Sequence, residues 1–124
     1  TMTIDADVPF PFVVGDTSFG PGQYVLRSFA DGGAIEVRSE NGTAAVLQAV
    51  ESASVNKAPE TSELIFKRYG DREFLSQVFM GGERIGVQLV QSKLEKELLG
   101  KGQKPIVHAH PARSFGAGRD RNSS

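Results

Sequence analysis

Apolar side chains alternate with polar residues and prolines along the first fourteen positions. Met2, Ile4, Ala6, Val8, Phe10, Phe12 and Val14 share one parity; Thr1, Thr3, Asp5, Asp7, Pro9, Pro11 and Val13 share the other. Such a period of two sends successive side chains to opposite faces, so the stretch predicts a strand with one buried face. Fully extended it would span roughly 45 Å at ~3.3 Å per residue, well beyond a common strand of ~5–6 residues. Pro9 and Pro11 carry no amide hydrogen, so a regular central strand throughout is ruled out. Two short strands around a proline break, or one long edge strand, remain as alternatives.

Further along, Gly15 to Gly22 (GDTSFGPG) is rich in turn formers and predicts a loop. Gln23 to Phe29 reads as a strand, with Tyr24 and Leu26 on one face and Val25 on the other. Asp31-Gly32-Gly33 makes a tight turn, and Ala34 to Ser39 follows with Ile35 and Val37 alternating against Glu36 and Arg38. Asn41-Gly42 is the strongest hairpin signal, because both residue types tolerate positive φ. Thr43 to Val50 is the expected return strand, and polar Glu51 to Ser62, with Pro59 inside it, reads as a longer connection. Glu63 to Arg68 and Glu73 to Met80 predict a second hairpin around Tyr69-Gly70-Asp71-Arg72. Phe74, Leu75, Val78 and Phe79 are apolar on both parities, as in a strand covered on both faces. Ile85 to Leu89 reads as a short last strand after Gly81-Gly82.

Ser92 to Leu99 changes period. Val90, Leu94 and Leu98 fall at helical spacing, Ser92 and Glu95 stand as a capping box, and Gly100 occupies a C-terminal glycine position. The expected fold is all-β, an antiparallel meander forming a sandwich or small barrel, with one short C-terminal α-helix. Hairpins between consecutive strands make sequence neighbours into sheet neighbours. The expected organisation is an N-terminal extended strand over 1–14, a β domain over 15–99 with a helix near 92–99, and a tail over 100–124.

Composition sharpens this picture. The 124 residues include 39% hydrophobic and 23% charged positions, enough for one packed domain. A net charge of −1 argues against a polybasic nucleic-acid or membrane-surface binder. No apolar run approaches the ~18 residues of a membrane-spanning helix. Cysteine is absent, which excludes disulfides, zinc-thiolate sites and thiol nucleophiles. Charge is divided unevenly: residues 1–99 carry 9 Lys/Arg against 14 Asp/Glu, while residues 100–124 carry 5 against 1. An acidic body and a basic tail rich in Gly, Pro and Ser are complementary, so the tail suits contact with another copy.

Candidate chemistry is sparse. His108 and His110 have chelating spacing on a strand, but no third ligand lies near them in sequence, so a solvated or interface segment is the plainer reading. Asp5 and Asp7 share a strand face, which suits calcium or acid–base work and equally the charged outer face of an edge strand. Asn41-Gly42-Thr43 matches the N-glycosylation sequon, yet the same residues are those a hairpin turn demands. Gly116-Ala117-Gly118-Arg119 lacks the strand and helix of a phosphate loop. Arg113, Arg119 and Arg121 offer one aromatic, Phe115, too few for a nucleic-acid tail. No Ser/His/Asp arrangement has motif support. Neither an enzyme nor a cofactor is expected.

Phe12-Val13-Val14-Gly15-Asp16 with Pro21-Gly22-Gln23-Tyr24, and Phe66 to Ser76 (FKRYGDREFLS), together resemble a family of small exported bacterial proteins of unknown function with one β-rich domain. The resemblance covers about residues 8–99 and stops short of the segment after Gly100. It implies export and implies no catalytic residue. A first residue of Thr1 leads separately to the expectation of a signal peptide removed before it, with Met2 as an initiator the alternative.

These readings lead to a secreted, extracellular structural protein, a subunit that self-assembles into filaments with other copies of itself. The N-terminal strand would add to the sheet of the next copy, its apolar residues Met2, Ile4, Ala6, Val8, Phe10 and Phe12 filling pockets there. Head-to-tail contacts that do not close give filaments. The same strand paired within its own chain is the competing reading. The alternative function is a secreted or periplasmic β-barrel binding a small ligand or carbohydrate. Absence of Trp and only two Tyr leave few platforms for stacking sugars.

Overall fold

Proline decides where the first strand ends. A computed structural model describes residues 2–114. In it the N-terminal run divides into β1 (Thr3–Val8) and β2 (Phe12–Val14), with Pro9 and Pro11 in the break. β2 turns at Gly15, which has φ +62°, and pairs antiparallel with the short β3 (Thr17–Phe19). Thus the segment expected to be a loop holds a small hairpin. β4 (Gly22–Phe29), β5 (Ala34–Ser39), β6 (Ala45–Ser54), β7 (Glu63–Tyr69), β8 (Arg72–Phe79) and β9 (Ile85–Leu89) follow. β6 runs four residues beyond Val50, into the stretch expected to be connection. The helix α1 (Lys93–Gly100) has Ser92 as N-cap, its Oγ accepting from the Glu95 amide at 3.1 Å. β10 (Ile106–Pro111) and β11 (Arg113–Ser114) come last among the described residues.

The fold is all-β with one short helix. Strands neighbour one another in the order β10, β7, β8, β9, β6, β5, β4, β1, β11. Every pairing on this path is antiparallel, while β2 adds a single parallel bridge to β8, Val13 opposite Phe74. The two ends of the path, β10 and β11, are consecutive in the chain and separated only by Ala112. One continuous segment, residues 106–114, therefore pairs with β7 on one side and β1 on the other. β7 pairs with β8 and β10 and not with β6, so the two meanders β4–β5–β6 and β7–β8–β9 join through β6 and β9; the sheet closes into a small barrel, and its closing strand lies in the part of the chain that composition reads as a tail.

Inward positions follow the period of two. Ile4, Ala6 and Val8 on β1, Tyr24 and Leu26 on β4, Ile35 and Val37 on β5, and Leu64 and Phe66 on β7 are buried in one cluster with Leu75, Val78 and Leu89. The β2–β3 hairpin adds Phe12, Val14 and Phe19 to the same cluster, with the Phe12 and Phe19 rings stacked at 5.5 Å. A second, outer cluster joins Val13, Tyr69, Phe74 and Leu98, with Leu94 packed against it. β8 is thus covered on both faces, by the interior and by α1. Helical spacing places Leu94 and Leu98 correctly, but Val90 precedes the helix and stays 41% exposed.

Candidate functional site

The line where the barrel closes is the least regular part of the sheet. Ser28 N–H donates to the Met2 carbonyl at 3.0 Å, so in the β1–β4 register even-numbered residues of β1 bond to β4. The odd-numbered ones, Thr3, Asp5 and Asp7, turn their backbone groups the other way. Ala112 N–H donates to the Ser62 carbonyl at 2.8 Å, so by the same parity Val107, Ala109 and Pro111 turn theirs away from β7. These two rims face each other, yet only Ile4 with Ser114 and Asp5 with Arg113 pair across them.

Carrying that register onward sets Asp7 opposite Pro111, Pro9 opposite Ala109 and Pro11 opposite Val107. A proline stands in each pair, and proline has no N–H to donate. The ladder cannot zip past Asp5, and a seam results.

Side chains span the seam instead of backbone. His110 Nε2 lies 2.7 Å from the Asp7 carbonyl oxygen. A carbonyl only accepts, so this nitrogen carries the proton and supplies the donor that Pro111 lacks. His108 Nε2 lies 2.7 Å from Oε1 of Glu73, a mostly buried carboxylate on β8. Its ring stacks on Phe66 at 5.8 Å, and Phe10 sits 5.7 Å from His108 and 5.9 Å from His110, edge-on to both. Phe10 also meets Phe66 edge to face at 5.0 Å. Phe10 thus wedges between the two imidazoles under the seam.

This arrangement answers the questions about His108 and His110. They share a face, as their spacing requires, but each Nε2 is engaged by a different partner and the Phe10 ring contacts both imidazoles. Among the described residues no group of three or more His, Asp or Glu converges as a metal site. Asp5 and Asp7 also diverge in role. Asp5 Oδ2 stands 3.5 Å from Arg113 Nη2, and its Oδ1 is buried without a partner among the described residues, whereas the Asp7 side chain is exposed.

Of the residues expected on an inter-subunit strand, Ile4, Ala6, Val8 and Phe12 are buried in the core of their own chain, and Met2 and Phe10 are partly buried against it. β1 pairs with β4 of the same chain over six residues. Asn41 serves its hairpin: Oδ1 accepts from Thr43 N–H at 3.0 Å, from Thr43 Oγ1 at 2.7 Å and from Ser39 Oγ at 2.9 Å. Phe115, the Gly116–Arg119 stretch and Arg121 lie outside the described residues, as does Thr1.

Away from the seam, the hydroxyl of buried Tyr69 donates to Glu95 Oε2 at 2.8 Å beneath α1. Burial, and then the hydrogen bond and negative charge of Glu95, push this phenol far above its ordinary range. Surface hollows are shallow and open. One of about 520 Å³ lies beside Met2 and the turn Ser28–Gly32, and one of about 180 Å³ lies among Pro11, Phe12, Phe19 and Asp71–Glu73. The barrel interior itself is filled by the large apolar cluster.

Sequence reasoning missed Glu73 as a partner of His108 and Pro111 as a ladder breaker. The signal was present in Ile106 to Pro111 (IVHAHP), where two β-branched residues and two imidazoles at i, i+2 suit a strand. Comparison of the chain with protein-family models, with curated proteins and with solved structures finds no match.

Proposed function

We propose that the chain is an exported, extracellular structural subunit that self-assembles with copies of itself by β-strand addition, without catalysis. One observation carries this reading: β1 has a full ladder to β4 but only two residue pairs on its other edge, at a seam that prolines hold open. Unpaired strand edges are templates for pairing with another chain. The filled interior supports assembly over the alternative of an enclosed ligand, since the positions that would line a cavity hold Ile4, Leu26, Ile35, Val37, Leu64 and Phe66. Export enters this proposal through the family resemblance.

Negative-stain electron microscopy combined with light scattering, over a range of protein concentrations, tests it. Regular filaments or a concentration-dependent rise in mass are the expected outcome. Uniform particles of monomer mass at every concentration would overturn the reading.

A further inference from the structure

Self-assembly through β1 leaves open what the added strand pairs with. We propose that the acceptor is the seam edge of β10, residues Val107 to Ala109, and that its occupant is the β1 rim, Thr3 to Asp7, of a second copy. This inference rests on the assembly reading and specifies its contact.

The β10 edge has the features of an acceptor. Its pairing to β7 is complete over Ile106–Pro111, so it is held rigidly on that side. The amides and carbonyls of Val107 and Ala109 face the seam, where Pro11 and Pro9 of the same chain have no N–H to offer. Val107 and Ile106 are 59% and 57% exposed, large apolar side chains left beside an unpaired edge. An incoming strand without proline would supply both donors and acceptors, and Thr3 to Asp7 contains none.

Charge selects the occupant. Residues 100–114 carry Lys101, Lys104 and Arg113 and no acidic residue, and Lys67 stands opposite Val107 on the same outer face. The first twenty residues carry Asp5, Asp7 and Asp16 and no Lys or Arg. Two β1 rims paired together would oppose Asp5 and Asp7 to their own kind, and two β10 edges would bring together the flanking Lys104 and Arg113 of both copies. Like charges facing one another across strands are destabilising. Pairing of β1 with β10 is the combination in which both charge sets are complementary.

That contact is heterologous. Each copy would keep its own β1–β4 and β10–β7 ladders, open the two-residue β1–β11 closure together with the His110–Asp7 contact, and present one acidic rim and one rim flanked by basic residues. Such a head-to-tail contact propagates when its rotation does not close a ring.

The test compares the full chain with Ala109→Pro and Val107→Glu. Ala109→Pro removes an amide that has no strand partner in the monomer, at a parity where Pro111 already stands. Val107→Glu places a negative charge at an exposed position on the same edge, against the Asp5 and Asp7 of the incoming rim. Each variant is expected to need about tenfold more protein for assembly in light scattering, a shift of about 1.4 kcal/mol, while its circular dichroism and melting match the parent. If Ala109→Pro fails to fold, Val107→Glu decides.

The natural chain contains no cysteine, so engineered thiols report contacts directly. Val107→Cys mixed with Thr3→Cys, Asp5→Cys or Asp7→Cys is expected to yield a disulfide-linked heterodimer with at least one of the three. Assembly of both edge variants at the parent's concentration, or cross-linking of Asp7→Cys to Gln23→Cys on the neighbour's β4 instead, would overturn the β10 acceptor and leave self-assembly standing. A parent chain that stays monomeric would overturn both.

Discussion

Gly86 marks the closest approach of β9 to β8. A Cβ there would lie 2.3 Å from the Val78 carbonyl oxygen and 2.6 Å from Phe79 Cδ1. A backbone atom cannot swing aside as a side-chain tip can, so the strands themselves must separate. Gly86→Ala is expected to destabilise the chain by about 1–3 kcal/mol, read as a shift of the denaturant midpoint; an unchanged midpoint would refute the close approach. The tyrosines give a pH-dependent counterpart. Burial raises Tyr24, and burial with the Glu95 carboxylate raises Tyr69. A phenol whose folded pKa lies above its unfolded value of ~10 contributes stability that is complete below that value and is lost as pH rises through the folded one. Tyrosinate absorbance should therefore stay absent until alkali unfolds the chain. Tyr69→Phe leaves Glu95 Oε2 buried without this donor and is expected to cost about 1–3 kcal/mol; a neutral effect would mean that solvent reaches the carboxylate.

Legibility differed from strand to strand, and the reason is how local each signal was. β4, β5, β7 and β9 announce themselves by alternation within their own residues and β8 by apolar residues on both parities, while Asn41-Gly42 marks the β5–β6 hairpin through the positive φ of Gly42 and the hydrogen bonds that Asn41 Oδ1 accepts. The Ser92 cap needs only Glu95, three residues on. Residues 106–114 were opaque because Gly and Pro flank them and because the partner of β10, on β7, lies about forty residues away and the partner of β11, on β1, more than a hundred. The seam was equally hidden: Pro9, Pro11 and Pro111 acquire their shared meaning only once the register sets them across from one another. That register makes a sharp forecast for amide exchange. Ile106, His108 and His110 should be protected by the β7 ladder, while Val107 and Ala109 should exchange quickly in dilute, monomeric protein. Uniform protection along β10 would show that the seam is zipped, and slow exchange at Val107 and Ala109 only at assembling concentrations would place the contact there.

A barrel removes the edge problem of an open sheet by closing on itself, and in this chain closure is assigned to a late segment of basic, proline-containing sequence. That assignment opposes two views of residues 106–114. As a loose tail they would contribute nothing to stability. As the closing strand they cover Phe66, Leu64 and Phe10, and they satisfy β7 along six residues. A chain ending at Pro105 separates the two. It would expose one complete strand edge and leave Phe66, wholly buried in the intact chain, open on one side. At ~1.5–3 kcal/mol for a large apolar side chain brought into water, uncovering two or three of them is expected to cost roughly 3–9 kcal/mol, much of the ~5–15 kcal/mol that typically holds a domain folded. The truncated chain should melt without a cooperative transition, or aggregate through its exposed β7 edge. A truncated chain that unfolds cooperatively at the same midpoint as the full one would return residues 106–114 to the status of a tail, and the seam, the closure and the β10 acceptor would fall with it.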